Sequence, residues 1–222
     1  RPYLTATNRM MVTYLALDKL EFANTWLQKN IKLAIKFESF EHIGYTYMDY
    51  AKGIYHLDLS LALKYLEYAD SFFQKPSENR RHLDCQCEIQ YVKVLLGIGN
   101  IEQLLLAQEA LFNNQYWIQY YKCHLKLSIC YILNGQKDEA LQHLLEAESP
   151  PIMKHDKRVQ YLCSMISAFL YKEPVTYDNM ALAGTSYQKI INNMQTNYNE
   201  INATLYNIKT STLSYSLDPR VW

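Results

Sequence analysis

Cys85-Gln86-Cys87, with His82 three residues upstream, are the side chains whose types come nearest to a metal-ligand set. Zinc takes about four such ligands, and its usual two-cysteine knuckle leaves roughly two to four residues between the thiols. On a helix, positions 85 and 87 point about 200° apart, which argues against shared ligation. No metal is expected. Gly97-Ile98-Gly99 has part of a dinucleotide-binding loop, but it lacks the further glycine and follows no strand, so it reads as a turn between helices. Phosphate-loop, zinc-protease and nucleophile-elbow patterns are missing, and Ser, His and acidic residues are scattered without catalytic spacing. Neither catalytic residues nor a cofactor are expected, and the chain reads as a binding protein rather than an enzyme.

Charge narrows the partners. Twenty-two Lys plus Arg balance 22 Asp plus Glu, so no positive field draws the whole chain to nucleic acid or an anionic membrane. The 20 tyrosines lack the basic excess of a base-stacking groove and read as helix-packing residues with hydroxyls at the rim. Arg80-Arg81 reads as a solvated helix face. No apolar run reaches the roughly 18–20 residues that span a bilayer, and no secretory signal pattern opens the sequence. Five cysteines, an odd number set in helical patterns, read as reduced thiols of a cytoplasmic protein rather than a disulfide framework.

The elements that must position any site are helices. Gly and Pro number only six each in 222 residues, too few for the many turns of a sheet protein. An internal repeat sets the arrangement, and its clearest copy runs from Tyr121 to Pro151. Leu127, Tyr131, Gly135, Ala140, Leu144 and Ala147 fall there at tetratricopeptide-repeat spacing, with Asn134-Gly135 as the turn and Pro150-Pro151 as the stop. A first copy has Tyr14, Leu17, Leu20, Ala23 and Leu27, with Asp18 in place of the turn glycine. A further pair has Phe40, Ile43, Gly44 and Tyr47 facing Ala62, Tyr65, Leu66 and Ala69; its extra length is assigned to an extension near Lys52 to Leu57. Another runs from Leu83 to Ile98 and from Ile101 to Phe112, and a fifth begins near Asp156 and stops before Pro174. The expected fold is all-α: a right-handed superhelix of tetratricopeptide-like helix pairs over residues 1–173, with divergent capping helices over 174–222 that supply a homodimer contact.

In this repeat type the first helix of each pair lines the concave side. Projecting that register gives Thr5 and Asn8, then Glu38, Glu41, Tyr45 and Asp49, then Gln86, Lys93 and Lys122, and beyond them Arg158 and Tyr161. Such a row suits an extended peptide, whose backbone needs both donors and acceptors. Asn8 supplies both from one side chain, and Glu41 and Asp49 could pair with a basic ligand residue. The alternative is a set of merely solvated positions.

Tyr3-Leu4-Thr5-Ala6-Thr7-Asn8 opening one repeat and Phe40-Glu41-His42-Ile43-Gly44-Tyr45-Thr46-Tyr47 opening the next resemble the RRNPP-type peptide-pheromone receptors, the AimR-like arbitrium receptors of phages among them. The resemblance is strongest over Arg1 to Phe73, and the Asn/Tyr-rich tail is similar in style. It implies a quorum-sensing module in which a short signalling peptide binds the concave groove and alters the superhelix or dimer. A separate N-terminal domain would carry the DNA contact, and in the arbitrium case the response steers phage lysogeny. Asn8 would match the inner-helix asparagines that hold peptide backbones. No helix-turn-helix pattern is found in these residues, so the chain reads as a piece of a longer transcription regulator. The competing expectation is a helical-repeat scaffold for a protein partner, without a pheromone ligand.

Overall fold

The structure, a computed structural model, describes residues 2–55, 57–73 and 79–151, together with 160, 163, 164, 166, 167, 170 and 171. The expected C-terminal cap over 174–222, with Arg158 and Tyr161, lies outside the described residues. Among the described residues all regular structure is helical: α1 (Pro2–Ala16), α2 (Leu20–Lys36), α3 (Phe40–Ile54), α4 (Leu59–Phe73), α5 (Asn79–Leu95), α6 (Ile101–Asn113), α7 (Trp117–Leu133) and α8 (Lys137–Glu148). Each helix packs on the next, and α1 also packs on α3 and α5 on α7. Short connections force consecutive helices to run antiparallel.

The second helix of every pair shows why these residues pair. Ala23, Leu27, Asn30 and Ala34 are buried on α2, and Ala62, Leu66, Ala69 and Phe73 occupy the same spacing on α4. Leu104, Gln108 and Leu111 on α6, and Ala140, Leu144 and Ala147 on α8, repeat it again. That spacing is a single stripe along a 3.6-residue helix, so each of these helices buries one face. The first helices α3 and α7 are buried nearly all round: residues 123–130 of α7 are buried without interruption. Small residues permit the close approach. A Cβ on Gly44 would lie 2.5 Å from Phe73 Cε1, and one on Gly53 would lie 2.5 Å from Leu15 Cδ1.

Five of the turns share one hydrogen-bond pattern. After α7, Gly135 takes φ 75° while its amide bonds Ile132 O and the Gln136 amide bonds Tyr131 O, the double closure that satisfies a helix's last carbonyls. Asp18, Glu38, Gly97 and Gln115 hold the equivalent left-handed position after α1, α2, α5 and α6. Asp18 therefore does stand in for the turn glycine. Glu38 and Gln115 carry a Cβ in a conformation that disfavours one by about 1–2 kcal/mol. Gln115→Gly is accordingly expected to raise stability by about 0.5–1 kcal/mol after the added unfolded-state entropy is deducted, read from urea midpoints.

Three sequence expectations shift. The α3–α4 pair is not specially extended: α1, α3, α5 and α7 begin at residues 2, 40, 79 and 117, so the longer period of 38–39 residues recurs from each of these first helices to the next. α5 ends at Leu95 rather than Ile98, because Gly97 takes the left-handed position. Glu38 lies in the α2–α3 turn and not on a helix.

Candidate functional site

The polar residues of α1, α2 and α3 assemble from α1 outward. Asn30 is fully buried in the otherwise Ala/Leu stripe of α2, where an amide must satisfy every bonding group locally. Its Nδ2 donates to Thr46 Oγ1 at 2.8 Å and to Asn8 Oδ1 at 3.1 Å, and its Oδ1 accepts from the Thr7 hydroxyl at 2.6 Å. The Thr46 hydroxyl in turn donates to His42 O at 2.8 Å. With its oxygen held by Asn30, the Asn8 amide is turned so that Nδ2 donates to Asp49 Oδ2 at 2.6 Å. Two positions 41 residues apart thus become one amide–carboxylate pair on the neighbouring helices α1 and α3. These bonds use half the capacity of the Asn8 amide, which has two donor hydrogens and two acceptor lone pairs. Burial pushes the Asp49 carboxyl above its ordinary pKa, against the opposing pull of Lys52 and of the Asn8 hydrogen bond.

A second cluster lies deeper, across α3, α5 and α7. Glu88 is fully buried; its Oε1 stands 2.7 Å from Lys52 Nζ and 3.5 Å from Lys126 Nζ, while Oε2 accepts from the Tyr55 hydroxyl at 3.1 Å. Burial favours protonating Glu88, but Lys126 and Lys52 outweigh it and hold the carboxyl well below its usual range. Burial likewise works against charge on Lys52, and Glu88 with Asp84 overcomes it.

A third group joins α3 and α4 to α5. Arg81 pairs with Glu41 and lies over the Tyr45 ring, 4.6 Å from its centroid, so Arg81 is half-buried and engaged while Arg80 alone is a solvated position. Asp70 receives Gln86 Nε2 at 2.9 Å and faces His82 Nδ1 at 2.7 Å. The Asp70 carboxylate of α4 and His82 and Cys85, one turn apart on α5, have the types of a thiol-nucleophile triad. Cys85 instead donates to Leu66 O, and burial raises its thiol pKa well above the ordinary value, the reverse of an activated thiolate. Cys87 faces the other way, against Cys123 of α7, and that contact together with burial raises it too. The two thiols of the Cys-Gln-Cys segment serve separate helix contacts. Among the described residues no three His, Cys, Asp or Glu side chains are placed to hold a metal ion.

Of the groove residues read from the sequence, Asn8 meets Asp49, and Glu41 and Tyr45 meet through Arg81. Thr5 is exposed on α1; Gln86 is tied to Asp70; Lys93 and Lys122 are half-buried on α5 and α7, apart from the Asn8–Asp49 pair in the fold. Scans against protein-family models, curated proteins and solved structures each return no match. The side chains themselves therefore carry the functional argument. They offer amides, carboxylates and cations held by one another.

Asn30, Glu88, Lys52 and Lys126 went unselected in the sequence. The signal for two of them was a polar residue at an apolar position: Asn30 on the stripe between Leu27 and Ala34, and Lys126 in the apolar run between Cys123 and Cys130.

Proposed function

We propose that the helix pairs form a right-handed, tetratricopeptide-like superhelix whose concave side binds a short signalling peptide, as the sensing and dimerising part of a cytoplasmic transcription regulator. The observation that supports it is the Asn8–Asp49 pair on α1 and α3, oriented from below by buried Asn30. An amide with donor and acceptor capacity beside a carboxylate can hold a peptide backbone and a basic ligand group together. A peptide that prefers one curvature of the array shifts the population toward it, and a separate N-terminal domain reads the change out on DNA. Homodimerisation is assigned to residues 174–222, and control of phage lysogeny follows if the resemblance to arbitrium receptors extends to biology.

Calorimetric titration with synthetic peptides of about five to ten residues tests the reading. Asn8→Ala is expected to weaken binding about five- to tenfold, the effect of one or two backbone hydrogen bonds. Absence of binding by any such peptide would sink it. The second reading, a scaffold for a folded partner, draws on the exposed Phe22, Ile35, Phe37 and Phe40 of the first helix pairs. It predicts capture of a folded protein with no response to short peptides.

A further inference from the structure

The inner helices are not evenly spaced. α1 packs along α3 and α5 along α7, whereas the backbones of α3 and α5 come close at fewer points. Long polar side chains fill that junction. Arg81 of α5 reaches Glu41 and Tyr45 of α3, Lys52 of α3 reaches Glu88 of α5, and Tyr55 at the end of α3 touches both Glu88 and the Tyr91 ring. Lys126 then carries the same carboxylate's contacts on to α7.

Apolar contact is nearly non-directional, so a stack in which each pair touches only its neighbours can tilt at a junction with little loss of buried area. A buried charge cluster is different. Its attraction roughly offsets the cost of removing the ions from water, so its net contribution to stability is small, yet it demands short distances in fixed directions. Glu88 must satisfy Lys52, Lys126 and Tyr55 at once, and they come from both sides of α5. Only a narrow range of angles between α3, α5 and α7 allows this.

We propose that the α3–α5 junction is the bending point of the array, and that the Lys52–Glu88–Lys126 cluster with Tyr55 is the clasp that sets its angle. The clasp specifies geometry rather than adding net stability. A Lys52→Met/Glu88→Leu/Lys126→Met variant, made in a Tyr55→Phe parent so that no buried hydroxyl loses its acceptor, removes the charges while keeping similar volume.

Spin-label distances in the full chain test the proposal. Gln28→Cys on α2 with Gln142→Cys on α8 spans the junction, while Gln28→Cys with Lys64→Cys on α4 stays on one side of it; all three positions are exposed. Cys85, Cys87, Cys123, Cys130 and Cys163 are buried, so labelling in the folded state is directed to the introduced thiols. In the triple variant the spanning distance distribution is expected to widen or move by several ångströms, with the one-sided distribution unchanged and the melting midpoint at or above that of the parent. An unchanged spanning distribution in the folded variant overturns the proposal, as does equal widening on the one-sided pair. Failure of the triple variant to fold, or a lower midpoint, also overturns it, because the cluster would then be a net stabiliser.

Discussion

Glu88→Leu alone is expected to lower the unfolding free energy by about 3–5 kcal/mol, one of the largest effects available from a single surface-neutral substitution in this chain. The change leaves the Lys52 and Lys126 ammonium groups in the core without the carboxylate they share. It also takes the acceptor from the Tyr55 hydroxyl, which is buried. Removing one member of a buried ionic cluster costs far more than removing all of it, since the remaining charge keeps its desolvation cost and loses its compensation. Urea unfolding followed by circular dichroism measures the loss. Lys126→Met added to Glu88→Leu is expected to recover part of it, which an independent packing defect would not allow. Lys64→Met on the exposed face of α4 is the comparison and should stay within about 0.5 kcal/mol of the parent. A loss below about 1 kcal/mol for Glu88→Leu would mean that water reaches the lysines and that the cluster is effectively exposed.

The helix pairs were legible because the second helices repeat one stripe. Ala23, Leu27 and Ala34 have direct counterparts in Ala62, Leu66 and Phe73, and the spacing is local enough to read along the chain. Asp18 was legible as a turn because aspartate tolerates the left-handed region; Glu38 and Gln115 were not, since their long side chains have no such preference. The hydrogen bonds that close the helix ends impose the conformation on them instead.

The site was less legible. Asn8 and Asp49 were each projected onto the inner face from local periodicity, but their mutual bond arises from packing of α1 on α3, which no local pattern encodes. Arg81 shows the same limit: adjacent arginines look alike in sequence, and only the approach of α5 to Glu41 and Tyr45 separates one from the other. Asn30 and Lys126 are the positions where a polar residue interrupts the apolar stripe of α2 and the apolar run of α7. Such an interruption requires partners, and those partners are what tie one helix to the next.

Acid is expected to destabilise the α7–α8 hairpin through His124 and His143. Their Nδ1 atoms lie 2.8 Å apart, so one ring donates and the other accepts. The rings sit among Tyr120, Tyr121 and Tyr131, with Glu139 and Glu146 acting on Tyr131 and Tyr120. Burial, with the neighbouring His143, depresses His124 from 6.5 to about 3, and burial depresses His143 also. Between these folded-state values and 6.5 the unfolded chain binds more protons than the folded one. Stability is therefore fully present above about pH 6.5 and falls as the pH drops, by up to about 1.4 kcal/mol per pH unit for His124 and by less for the partly solvated His143. His42, also lowered by burial against its bond to Leu4 O, contributes with the same sign at the other end; Asp49, which is raised, contributes with the opposite sign. Urea midpoints at about pH 7.5 and about pH 5 bracket the histidine region while most carboxylates remain ionised. His124→Phe/His143→Gln should flatten that difference, and amide exchange should place the parent's acid-induced opening in α7 and α8. An equal pH dependence in the double variant would assign the effect to His42 or to the carboxylates instead. Protonating both imidazoles would make each a donor, so the bond joining the two helices would be lost along with their neutrality.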